Sequence, residues 1–107
     1  MHRIHANTDV YHAIADPTRR AILDKLRTGP APVNAILADF PQSRPGISKH
    51  LRVLREAHIV VEQRVGRERI YRIQPEKLHQ VATWIEGYRS FWQTSLGNLK
   101  NYLEAES

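Results

Sequence analysis

The sequence predicts a mainly α-helical chain with one small β-hairpin, in the order α-α-α-α-β-β-α. Three observations predict it. Apolar residues recur at steps of three and four over most of the chain. Two short β-patterned runs face each other across Val65-Gly66-Arg67-Glu68. The C-terminal third keeps helical spacing with no proline after Pro75.

Taken in order, Thr8–Ala15 reads as a short helix with Val10, Tyr11 and Ile14 on one side. Asp16-Pro17 restarts the chain, because aspartate caps a helix and proline suits its first position. The second helix runs from Pro17 to about Arg27 and buries Ala21, Ile22 and Leu26; Gly29-Pro30 ends it. A third runs from Val33 to Phe40. Ser43 is the N-cap of a fourth, about 43–57, with Gly46 in its first turn, a position that suggests close backbone approach to something. His58 stands where a helix-terminating glycine is usual, and histidine tolerates the left-handed conformation better than most side chains. Ile59–Val65 and Arg69–Ile73 form the hairpin, with Arg64, Arg67 and Arg69 near its tip. From about 75 to 104 the stripe Val81, Trp84, Ile85, Tyr88, Phe91, Trp92, Leu96, Leu99, Tyr102 and Leu103 makes one long amphipathic helix, about 40 Å long at 1.5 Å per residue. With no linker or repeat, residues 1–107 read as one domain.

Composition narrows the function. There is no cysteine, which excludes disulfides and thiolate chemistry, and the N-terminus has no secretory pattern, so a cytoplasmic protein is expected. The net charge of +5 is carried by the middle of the chain: residues 41–74 hold eight Lys/Arg against three Asp/Glu. A basic segment of this kind is the footprint of a polyanionic partner. No nucleophile–base pair, phosphate loop or paired carboxylates occur in a plausible pocket, so no enzyme activity and no cofactor are expected.

Two short helices joined by a tight turn and followed by a hairpin describe a winged helix-turn-helix, whose second helix enters the major groove of DNA. On a helical wheel Ile47, Leu51 and Leu54 form the buried stripe of the 43–57 helix, and Arg44, Pro45, Ser48, Lys49 and Arg52 fall opposite. That face is short, polar and basic, as base-edge and phosphate contacts require. Arg44, at the helix start, is the first choice for a base contact; Ser48 suits a base edge or phosphate; Lys49 and Arg52 suit phosphate. His50, beside the buried stripe, is a core-edge histidine or a phosphate donor. Arg67 and Arg69 on the wing suit the DNA backbone or minor groove. A dimer interface is expected from Val10, Tyr11 and Ile14 of the first helix and Trp84, Tyr88, Phe91, Trp92, Leu96, Leu99 and Leu103 of the last. A small-molecule pocket between the last helices is the other reading of that stripe, and no residue pattern specifies an effector.

Several segments resemble the ArsR/SmtB-type winged helix-turn-helix regulators of bacteria: Ala15-Asp16-Pro17-Thr18-Arg19-Arg20-Ala21-Ile22-Leu23, Ser43-Arg44-Pro45-Gly46-Ile47-Ser48-Lys49-His50-Leu51, Val53-Leu54-Arg55-Glu56-Ala57 and Gly66-Arg67-Glu68-Arg69-Ile70-Tyr71-Arg72-Ile73. The resemblance implies a homodimer built from the first and last helices, binding an inverted-repeat operator in double-stranded DNA, and repressing by default. Its DNA-reading positions fall on Arg44, Pro45, Ser48 and Lys49. The family's metal sensors use a cysteine pair, or an Asp-x-His with further ligands on the last helix; here that helix offers only His79. The aromatic last helix is similar to the metal-independent, autorepressor-like branch. The alternative is a metal-responsive repressor with a histidine site outside the family pattern, made by His2, His5, His12 and His79.

Overall fold

The computed structural model describes residues 9–106. Nine elements follow one another: α1 (Val10–Ile14), α2 (Pro17–Leu26), β1 (Ala31–Pro32), α3 (Val33–Ala38), α4 (Arg44–Glu56), β2 (Val60–Val65), β3 (Glu68–Ile73), α5 (Pro75–Glu86) and α6 (Arg89–Glu106).

The helix starts follow from short polar side chains. Asp9 accepts from the amide of His12 at 2.8 Å, and Asp16 from that of Arg19 at 3.0 Å with Pro17 behind it. Ser43 caps α4 through Gly46 N–H at 3.3 Å. Each satisfies an amide that has no partner within its helix.

The end of α4 also follows the sequence. His58 takes φ +62°. Its amide donates to Arg55 O and that of Ile59 to Leu54 O, both at 3.0 Å. This is the paired-bond Schellman termination, completed by burial of both Leu54 and Ile59. Gly66, at φ +63°, opens the two-residue loop between β2 and β3, a conformation that costs glycine nothing.

Four expectations need correction. A third strand, β1, pairs antiparallel with β3 through Ala31 opposite Tyr71 and Pro32 opposite Ile70, giving the order β1-β3-β2. Two residues carry no periodicity, and Pro32 is tolerated only because β1 is an edge. Next, α3 ends at Ala38 instead of Phe40: the amides of Asp39 and Phe40 fold back on Ile36 O and Leu37 O. The C-terminal helix is interrupted at Gly87-Tyr88, where the Gly87 amide is shared between Thr83 O and Trp84 O and the turn tightens. Finally, a Cβ placed on Gly46 would lie 3.5 Å from Ser43 Oγ and 3.7 Å from Gln42 Cβ, so nothing within the chain demands glycine there.

The core joins α1 to β3: Val10, Ala13, Ile22, Leu26, Ile36, Ile47, Leu51, Leu54, Ile59, Val60 and Tyr71 are buried together. Leu78 and Val81 tie the start of α5 to it. Beyond that point the chain leaves the core. The described side chains of α6 are all exposed. The radius of gyration is 18.7 Å, against about 13 Å for a compact domain of this length. No helix among the described residues is long and apolar enough to cross a membrane.

Candidate nucleic-acid interface

Amphipathic α4 is fixed by its buried stripe of Ile47, Leu51 and Leu54. That seating turns Arg44, Pro45, Ser48, Lys49 and Arg52 to solvent on the opposite side. The expected face is therefore present and uncovered. It is also preorganised, because the helix is held by its core and not by the ligand.

Arg44 does not stand alone. Its Nη2 donates to Asn34 Oδ1, on α3, at 2.8 Å. Arg44 and Asn34 line a cleft of about 260 Å³ with Pro32, Val33, Arg67, Glu68 and Arg69. The first turn of α4, the start of α3 and the tip of the wing thus meet at one basic concavity. Sequence reasoning placed Arg44, Arg67 and Arg69 at the interface separately. It missed Asn34, whose signal would have been a short amide facing the helix start across the turn.

The wing is locked to α4 by Glu62. Its Oε1 accepts from Arg55 Nη1 at 3.1 Å, and its Oε2 accepts from Tyr71 Oη at 3.0 Å and pairs with Arg69 Nη1 at 3.3 Å. Burial, then the hydrogen bond to Glu62, pushes the Tyr71 hydroxyl above its ordinary value, so it stays a donor. Arg69 is therefore half committed inside the protein, though it still lines the cleft. Arg72 donates to Gln63 at 2.7 Å across the hairpin. Arg64 and Arg67 have no charged or hydrogen-bonding partner among the described residues, and both are exposed.

His50 sits differently from its neighbours. It is half-buried, and its Nδ1 lies 3.2 Å from Arg19 Nη1 and 3.9 Å from Asp16 Oδ2. The core-edge position is what the structure shows, with one ring nitrogen engaged internally.

The expected dimer residues divide into two groups. Val10 is a correction: at 3 % exposure it belongs to this chain's own core and offers nothing to a partner. Ile14 packs against the same core. Tyr11, Trp84, Tyr88, Phe91, Trp92, Leu96, Leu99 and Leu103 are exposed, Phe91 by 69 %. Tyr11 meets Trp84 edge-on at 5.8 Å, and Trp84 meets Tyr88 at 5.3 Å, so α1 and α5 share one aromatic surface.

His2 and His5 lie outside the described residues. Among the described residues, no three His, Cys, Asp or Glu side chains converge as metal ligands would.

Comparison with known proteins identifies the architecture. Residues 14–63 match a helix-turn-helix domain family. The chain is 35% identical to the HTH-type transcriptional regulator Rv2034 of Mycobacterium tuberculosis over 96 residues, covering 90% of this chain and 87% of that protein. It is 36% identical to the transcriptional repressor SdpR of Bacillus subtilis over 77 residues, covering 72% and 86%. The crystal structure of the ArsR family transcriptional regulator RHA00566 superposes with a TM-score of 0.72 at 30% identity, over 87% of this chain and 97% of that one. With the helix pair, the wing and these relatives in agreement, the chain belongs to the ArsR/SmtB-type family of winged helix-turn-helix, DNA-binding transcriptional regulators.

Proposed function

We propose that this regulator is a repressor that binds an inverted-repeat operator as a homodimer and does so without a metal ion. The observation that carries the reading is the uncovered face of α4 beside a cleft shared by Arg44, Arg67 and Arg69. Ser48 and Lys49 lie along the major groove with Arg44 at its floor, where an arginine bonds guanine through two parallel hydrogen bonds. Lys49, Arg52 and the wing arginines take phosphates.

The homodimer is supported by the aromatic surface of α1, α5 and α6. An apolar stripe of this length on a helix with no covering neighbour marks an association surface. Two copies would place two α4 helices on successive turns of one DNA face. Metal independence is supported by the ligand inventory: the chain has no cysteine, and its last helices carry the single histidine His79.

Gel-shift and sedimentation measurements on Arg44→Ala test the reading together. The variant is expected to remain a dimer and to lose sequence-specific binding. Normal operator binding by the variant would remove α4 from the role. Wild-type binding should not respond to zinc, nickel or copper; release of DNA by one of them would favour the histidine-site alternative.

A further inference from the structure

Arg19 is heavily engaged near the interface, and the DNA-reading face does not use it. Its amide is held by Asp16, but its guanidinium leaves α2 altogether. Nε donates to Ala13 O at 2.7 Å and Nη2 to His12 O at 3.2 Å, both carbonyls at the end of α1. Nη1 reaches His50 Nδ1, on α4, at 3.2 Å. Arginine has donors only, so this contact is a hydrogen bond when Nδ1 accepts and the ring proton sits on Nε2. The guanidinium fork is planar and spends its donors in fixed directions, so it transmits orientation better than a flexible ammonium would.

The two ends of this contact belong to different parts of the machine. α1 packs on α5 through Tyr11 and Trp84, and Tyr11 Oη reaches Gln80 O at 3.5 Å. α4 carries the reading face. We propose that Arg19 and His50 are positioning residues, a strut that sets the angle of the recognition helix against the α1–α5 frame and thereby the spacing at which two copies engage two half-sites. The inference rests on the dimeric operator reading above.

The strut makes a demand that a DNA contact by His50 does not. The strut needs a neutral acceptor at position 50; a phosphate contact needs a donor, and a cation serves it better. His50→Gln keeps an acceptor, and His50→Lys keeps a donor but adds a charge facing Arg19. The readout is affinity for the selected inverted repeat, for the same repeat with its spacer lengthened by a base pair, and for a single half-site. His50→Gln should bind and discriminate spacing as the wild type does. His50→Lys should lose about tenfold on the full repeat, within the usual range of coupling between sites, while half-site binding holds and spacing discrimination flattens. Arg19→Gln should repeat the His50→Lys pattern and stands in for it if that variant fails to fold. A His50→Lys protein that binds the full repeat at least as tightly, with spacing discrimination intact, would make His50 a phosphate contact and overturn the strut. So would wild-type behaviour of Arg19→Gln. Those results leave the dimeric operator standing. A wild-type protein that prefers no repeat over a half-site would overturn both.

Discussion

At the scale of single residues, the hydrogen bond from Arg44 Nη2 to Asn34 Oδ1 holds the guanidinium at the start of α4 in place before any ligand arrives. An exposed arginine loses side-chain entropy when it docks, and a neighbour that already holds its fork removes part of that cost. Asn34→Ala should therefore weaken operator binding by about 1 kcal/mol, the usual net worth of one hydrogen bond. If Arg44 reads a base, the loss concentrates at one base pair; if it holds phosphate, the loss is uniform and the salt slope shallows. Fluorescence anisotropy over single-base-pair operator variants separates the two. Glu62 shows the same logic on the wing, since it holds Arg55, Arg69 and Tyr71 at once and leaves Arg64 and Arg67 to meet solvent or DNA.

At the scale of elements, α2 depends on its N-cap. Burial works against the charge of Asp16, but the Arg19 amide and the neighbouring His50 and Arg19 outweigh it and hold the carboxyl below its ordinary 3.8. A carboxyl depressed by folding contributes stability that is present above the unfolded value and lost as pH falls through the folded one. The wild type should thus lose stability on acidification below about pH 4 more steeply than Asp16→Asn, which keeps a capping oxygen without the charge. Denaturant melts across that range measure the difference, and parallel curves would contradict it. Elements of this kind were legible in advance because their determinants are local: Asp16-Pro17, Ser43, His58 and Gly66 each set a boundary that the structure keeps. What stayed hidden was non-local. β1 is two residues long and exists only because β3 lies beside it. The Arg19–His50 contact spans 31 residues of sequence. Gly87 and Gly97 look alike on paper, yet the chain turns at the first and stays helical through the second.

At the scale of the whole molecule, the long dimension of 65 Å belongs to a chain whose last helix has left its core. Phe91, Leu96, Leu99 and Tyr102 would not stay in water on a stable monomer without cost, at about 25 cal/mol for each Å² of apolar surface left wet. Phe91→Lys combined with Leu99→Lys should shift sedimentation from dimer to monomer while the melt of the α1–β3 core changes little. Operator affinity should fall sharply, because the second half-site is no longer delivered at high effective concentration. A double variant that remains dimeric would move the interface elsewhere. In vitro selection by the wild-type protein from a randomised duplex pool tests the dimeric, groove-reading mode without a known operator. A homodimer that reads DNA through two α4 helices should recover an inverted repeat whose half-site centres lie about one helical turn, roughly 10 base pairs, apart, with enrichment lost for Arg44→Ala. An unsymmetrical single site, or no enriched sequence at all, would contradict it.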